Sequence, residues 1–459
     1  MIVDVIPHAV GDTSLRRSLS FRDLLVYGLL FIAPMAPVGI FGTLYADSRG
    51  AVALVYVVAT VAMGLTAYSY AQMVRVVPEA GSVFAYARTG LGEGAGFLAG
   101  WLLLLDYLFV PAVAYLFSGI AVHALVPGIP VWLWTSAAIV VTSALNMTGV
   151  RAAARVGLAV LAAELAVLAT FVVAACAALV RDGPARGWLE PFTGSGAFSP
   201  GAVLGGVSIA VLSYLGFESI ANFAEEVDDR SRHHRTHGER AARALLVALT
   251  VAGLLFVLQS YLAALLYPDD YTALVEDPGL RDPAFYDAAE AGVGHWLHNL
   301  VALSKAVGAA FSGLAAQAAA ARTVYAMARE GRLPRALARL DAGSGVPRRA
   351  VVLSAALAAA TALWASGHAQ GLGRVVAVVN LGALGAFALL HVAVFGLFHV
   401  RRAGGAAPHP VKHLLVPLLG LAVCVAVITE AQYEALVVGA VWLAAGLAVL
   451  GWRRVRADQ

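Results

Sequence analysis

Charge is what this sequence has least of. Only 13% of its residues are Asp, Glu, Lys or Arg, against ~25% in an ordinary soluble chain. A soluble fold of this length needs polar cover over its whole surface, so the deficit excludes a single water-exposed globule. Cysteine is nearly absent as well: Cys176 and Cys424 are the two present, and both lie inside apolar runs. There they read as small hydrophobes, which argues against a disulfide framework or a metal site. An apolar leader is also lacking. Met1–Ser20 is mixed and polar, with no hydrophobic core ahead of a small-residue cleavage site, so no cleavable signal peptide is expected.

What fills the sequence instead is hydrophobicity, at 60% of residues and a mean hydropathy of +0.80. It is gathered into stretches near the ~20 residues that cross a ~30 Å hydrocarbon core. Spans are predicted near Phe21–Tyr45, Ala51–Val74, Phe97–His123, Val131–Val150, Val156–Val180 and Ala202–Ala224. Six more follow near Ala244–Tyr267, Leu297–Val324, Ala350–Ala365, Val375–Val400, His413–Thr429 and Tyr433–Trp452. The fold class expected is therefore an all-α membrane protein of about twelve transmembrane helices, because the ~10-residue alternation of a membrane barrel is absent. The chain divides into a cytoplasmic tail (1–20), one transmembrane domain (21–452) and a second cytoplasmic tail (453–459).

Positive charge sets the orientation. With the N-terminus inside, only Arg49, Arg181, Arg186, Arg281 and Arg374 of the 31 Lys and Arg residues fall outside, and Lys305 lies within a span. All the others face the cytoplasm, which places both termini there in a multi-pass protein of the cytoplasmic membrane. The long external loop Pro268–Gly294 carries Asp269, Asp270, Glu276, Asp277, Asp282, Asp287 and Glu290 against Arg281 alone. Such a mouth attracts cations, although acids are also freely tolerated on that side.

Two spans look broken. The first contains Ala33, Pro34, Met35, Pro37, Gly39, Phe41 and Gly42 in close succession. Proline removes a backbone donor and glycine admits unusual dihedrals, so the helix should unwind near mid-membrane. The sixth contains Leu215, Gly216 and Phe217 beside Glu218. Interrupted helices at corresponding positions of two halves are the best pointer to a transporter's central site. The unwound backbone and half-helix ends can then hold a carboxylate or an ammonium.

At these residues the chain resembles the amino acid–polyamine–organocation superfamily, and within it the bacterial putrescine importers. Pro78–Ala87 (PEAGSVFAYA) resembles the signature after the second helix, and Gly96–Trp101 with Leu105–Pro111 resembles the importers' third helix. Leu215–Ser219 with Glu225 and Glu226 is similar to the sixth-helix motif, and Asn380–Leu384 to the tenth. The resemblance implies a five-plus-five inverted repeat like that of the leucine transporter, with helices 1 and 6 discontinuous, and proton-coupled uptake. Two departures concern charge. Gly39 falls where the importers carry an acid, and Lys305 where they carry a neutral residue. One negative charge is lost and one gained in the opposite sense, which reads against a dication as cargo.

Ionisable residues at mid-bilayer cost roughly 2.5–3.5 kcal/mol on insertion scales and default to functional hypotheses. Asp106 in the third span is expected to meet a substrate amine or a partner on another helix. Glu218 beside the break is the candidate for proton coupling, and Phe217 next to it for closing over the substrate. Glu164, with no motif around it, is read as structural. Lys305 lies too deep to snorkel; it is expected either to pair with Asp106 or Glu218 or to select against dications and for a carboxylate. The run His233, His234, His237 sits among arginines, which would oppose a metal cation.

The expected function is secondary active import of an amino acid or small amine, proton-coupled and by alternating access. The alternatives are a polyamine (putrescine) importer, a substrate–product exchanger or, in a different class, a transport-like membrane sensor. A sensor needs an output module, and neither short tail offers one. A membrane-embedded enzyme would need paired metal ligands or a nucleophile–base pair in the spans, and none is legible. The partners implied are a small-molecule substrate, protons and the lipid bilayer; no nucleic acid, metal or cofactor is implied.

Overall fold

The computed structural model describes residues 20–77, 82–148, 150–196, 198–222, 224, 237–329, 334–341, 346–368, 370–402 and 408–457. Part of the loop motif after the second span, Glu225 with Glu226, and His233 with His234 lie outside the described residues.

Every element among the described residues is helical. The first span is α1 (Phe21–Ile32), a 3₁₀ turn at Ala36–Gly39 and α2 (Phe41–Asp47). The second is α3 (Val52–Val76), followed by the short α4 (Ser82–Leu91), and the third is α5 (Glu93–Leu125). Next come α6 (Val131–Thr148), α7 (Val150–Asp182) and the one-turn α8 (Glu190–Thr193). The sixth span is α9 (Pro200–Ala210), a 3₁₀ turn at Val211–Tyr214 and α10 (Ser219–Asn222). The seventh is α11 (His237–Leu266), and its loop folds into α12 (Tyr271–Glu276) and α13 (Ala284–Gly292). Then follow α14 (His295–Arg329), α15 (Arg348–Ser366), α16 (Gly371–Phe395), α17 (Val416–Thr429) and α18 (Tyr433–Ala457).

Among the described residues, 11 helical segments are long and apolar enough to cross a membrane, and Val131–Met147 is a shorter apolar helix. Together they make the twelve spans expected. The third, fifth and eighth run longer than their apolar cores, and α18 carries on past Trp452 to Ala457. Polar ends extend these helices because the backbone goes on bonding within itself beyond the apolar stretch.

Packing follows the two halves. α3 lies against α11, α5 against α14 and α6 against α15. Each is a span paired with its counterpart five positions on, as an inverted repeat requires. Polar side chains tie this scaffold together inside the bilayer, where an unpaired group is costly. Gln317 of α14 donates to Ser143 and accepts from Asn146 and Tyr115, joining α6, α5 and α14. His391 of α16 bonds Thr66 and Ser69 of α3.

Three of the seven acids of the 268–294 loop are occupied locally. Asp270 accepts from the Tyr271 N–H and Asp277 from the Gly279 N–H, which caps two short helices. Glu290 meets His295 and His298 at 3.2 and 3.0 Å.

The twelfth span docks through a reciprocal tryptophan pair. Trp101 and Trp442 stack at 4.7 Å, and each indole N–H donates to the other's backbone carbonyl at 2.8 Å. Trp442→Phe keeps the stack and loses one hydrogen bond, worth about 1 kcal/mol. Trp442→Ala loses both and should lower the melting temperature of the detergent-solubilised protein by roughly 2 °C or more. A melting curve for the alanine variant that overlays the unmodified protein would show that the pair contributes no stability.

Candidate functional site

The first break is built where the sequence places Pro34 and Pro37. α1 ends at Ile32, and Ala33 takes φ +56°, a region that costs a non-glycine residue of order 1–3 kcal/mol. Past it the chain cannot close α-helical bonds, so carbonyls are left facing inward. Two side chains from the scaffold satisfy them. Gln259 of α11 donates to the Pro34 carbonyl at 2.9 Å, and the Lys305 ammonium of α14 donates to the Met35 carbonyl at 3.1 Å. Ser304 adds a contact to the Met35 sulfur at 3.4 Å.

The second break is held from α3 and α16. Asn380 donates to the Ser208 and Ile209 carbonyls at 2.7 and 3.1 Å. Tyr56 bonds Ser213, and Tyr214 bonds Thr60 at 2.7 Å. Gly216 then takes φ +109°, and its N–H donates to the Glu218 carboxylate at 2.9 Å. A Cβ at Gly216 would lie 2.6 Å from the Phe31 carbonyl oxygen. Glycine therefore serves both the dihedral and the close approach of the two interrupted helices. Gly216 thus meets the end of α1.

Phe217 is fully buried, edge-on to Tyr70 at 5.6 Å and tilted against Phe387 at 5.8 Å. Phe41 lies in a second aromatic cluster with Tyr45, Tyr267 and Phe285. No side chain fits at Gly42, where the Arg281 carbonyl packs.

The buried charges sort into two groups. Asp106 lies on the Glu218 side: the two carboxyls interact electrostatically, and Asp106 Oδ1 has no hydrogen-bond partner among the described residues. Lys305 lies on the other side. Its ammonium sits 4.8 Å from the centre of the Phe117 ring, and the acid whose charge acts on it is Glu164 of α7. The expected pairing of Lys305 with Asp106 or Glu218 is corrected here. Glu164, read from sequence as an isolated structural acid, supplies the countercharge. α14 makes room for it at Gly308, one turn beyond Lys305, where a Cβ would overlap the Glu164 carboxylate. Gly39 belongs to the same corner, since a Cβ there would come 2.6 Å from the Phe117 ring.

Sequence reading missed Gln259, Asn380's bonds to the sixth span, Phe117 and the role of Glu164. A polar residue alone in an apolar run was the available signal for Gln259 and Glu164. Which break each would meet depends on helix rotation and packing. Three or more His, Cys, Asp or Glu side chains placed to hold a metal ion do not occur among the described residues.

Comparison with known proteins identifies the family. The family described as amino acid permease matches residues 26–448. The low-affinity putrescine importer PlaP of Escherichia coli K12 is 29% identical over 445 residues, covering 95% of this chain and 93% of its own. The branched-chain amino acid permease BcaP of Bacillus subtilis is 26% identical, covering 98% and 95%. The methylthioribose transporter of the same organism is 27% identical, covering 84% and 82%. With two interrupted helices meeting at Gly216 and a family match over nearly the whole length, the chain belongs to the amino acid permease family, a multi-pass membrane transporter and not an enzyme.

Proposed function

We propose that this transporter is a secondary active importer of the cytoplasmic membrane that carries an amino acid or small amine by alternating access, driven by protons. The observation that carries the reading is the meeting of the two breaks at Gly216 and Phe31, with carbonyls of the first break answered from α11 and α14. Both termini are cytoplasmic in this reading, by the asymmetry of Lys and Arg. Thiol labelling of intact cells checks it. A cysteine at Asp277, in the 268–294 loop, should react with an impermeant reagent, and one at Ala338 should not. The opposite pattern would reverse the orientation.

Protons enter at Glu218. Its carboxylate accepts the Gly216 N–H and so braces the second break, and Asp106 faces it across the third span. The charge of this pair can change by one proton without any heavy atom moving, and a substrate ammonium can take that proton's place. Glu218→Gln removes the charge while keeping shape and most hydrogen bonding. The variant should lose gradient-driven accumulation in proteoliposomes and keep counterflow. Proton-driven uptake at the unmodified rate would remove Glu218 from coupling.

Lys305 sets the class of substrate. A fixed ammonium on the Met35 carbonyl and the Phe117 face occupies the place a second substrate cation would seek. It repels a diamine and favours a substrate with one amino group and a neutral or anionic far end. Putrescine import remains the second reading, because PlaP is a putrescine importer and the two chains match end to end. Lys305→Thr separates the two. Amino-acid uptake should fall and putrescine affinity rise, with the protein folded. If Lys305 serves only to neutralise Glu164, the variant strands a buried charge at about 3–5 kcal/mol. It is then poorly expressed, and adding Glu164→Gln restores it. A folded variant with unchanged substrate preference would refute both roles.

A further inference from the structure

Away from the central charges, the connection from α13 to α14 gathers one carboxylate and two imidazoles. α13 ends at Gly292 and α14 begins at His295, with Gly294 between them at φ +134°. Glu290 stands before this turn, and His295 and His298 stand after it. α13 also packs against α11, α7, α2 and the 3₁₀ turn of the first break, with Phe285 edge-on to Phe41 at 5.6 Å. Whatever holds α13 to α14 therefore bears on the outer half of the first span.

His298 is only 6% exposed, and both of its ring nitrogens face oxygen atoms. Nε2 lies 3.3 Å from the carbonyl oxygen of Ala124, in the last turn of α5. That oxygen can only accept, so Nε2 carries a hydrogen. Nδ1 lies 3.0 Å from Glu290 Oε2 and has no hydrogen-bond partner among the described residues. A neutral ring with its hydrogen on Nε2 would turn a lone pair toward the carboxylate, and the two would repel. The contact is attractive when a proton is present, as imidazolium against carboxylate or as neutral ring against carboxylic acid. The other carboxylate oxygen, Oε1, lies 3.2 Å from His295 Nδ1.

We infer that the His298–Glu290 pair is a proton-binding site, separate from the breaks, whose proton fastens α13 to α14 and α5. With the proton in place the pair is neutral overall. Without it a carboxylate faces a lone pair, and the fastening fails. The hold is therefore present at low pH and lost as pH rises. Glu290 is half-exposed and gives the buried ring its route to water. The inference takes from the proposed function only the orientation, which makes the outer solution the source of the proton.

Other titratable groups surround the pair. α13 gives Asp287, whose carboxyl interacts electrostatically with His298, Glu290 and Asp269, and Tyr286, whose ring lies 5.8 Å from His298. α5 gives His123, turned to the Ile129 carbonyl at 2.7 Å. α14 itself gives His295, stacked on His298 at 5.5 Å.

Hydrogen exchange of the α13 amides, read by mass spectrometry on the full chain in nanodiscs, tests the pair. Rates are divided by those of Glu290→Gln at the same pH, which removes the intrinsic pH dependence of exchange. The glutamine amide can donate to a neutral ring, so this variant stays fastened at every pH. An unstructured peptide of the same sequence serves as the reference should that variant fold poorly. The series runs from about pH 5 to about pH 9, which brackets the charge change of histidine. The ratio should stay level in acid and then climb by up to about tenfold per pH unit as one proton leaves. With His298→Gln the ratio should not depend on pH. His295→Gln should keep the dependence, because a glutamine amide can still donate to Oε1. A level ratio in the unmodified protein, or a climb that survives His298→Gln, would overturn the proton site. In right-side-out vesicles, with pH varied on one side at a time, the climb should follow the outer solution. A climb that follows the inner solution would leave the proton site standing and fail the orientation.

Discussion

A carbonyl without a partner inside a bilayer costs several kcal/mol, and the break in the first span leaves carbonyls short of their helical bonds. Pro34 and Pro37 make continuous helix impossible there; the Pro34 oxygen takes its bond from outside the span, and the Met35 oxygen adds an outside donor to the Val38 N–H it already accepts. Gln259 and Lys305 answer them from two different scaffold helices. Much of the rest of the site follows. The break can exist because these donors exist, and the donors are buried because the break needs them.

Lys305 brings a charge where a neutral donor would have sufficed for hydrogen bonding. That charge needs a counterpart, which Glu164 provides, and the Phe117 face adds a further attraction. The second break works by the opposite sign. Glu218 accepts the Gly216 N–H, and Asp106 lies near enough to feel its charge. The buried charges are thereby divided into an opposite-sign pair, Lys305 with Glu164, beside the first span and a like-sign pair, Glu218 with Asp106, beside the sixth.

Buried polar contacts hold the scaffold around these pairs as well as the breaks. The Gln317, Asn146 and Tyr115 network and the His391 bonds fix α3, α5, α6, α14 and α16 to one another. The interrupted spans are joined to it mostly through single side chains such as Asn380 and Gln259.

Much of the fold was legible in the sequence, because partition into a bilayer sums over about 20 consecutive residues and needs no knowledge of neighbours. The twelve spans, the two breaks and the segregation of arginine are local properties of this kind. Proline, glycine and charge act where they stand in the chain. The same locality explains why Lys305 and Glu164 could each be flagged as costly but were not matched. Lys305 and Met35 are 270 residues apart, and each residue along a helix turns the side chain by about 100°. Whether Lys305 meets Glu164 or Asp106 is decided by how α7, α5 and α14 rotate and pack. Sequence therefore determined which segments enter the membrane, where they fail to stay helical and which charges must find partners there. Only the tertiary structure decided the partners, because that choice depends on contacts between helices distant in the chain.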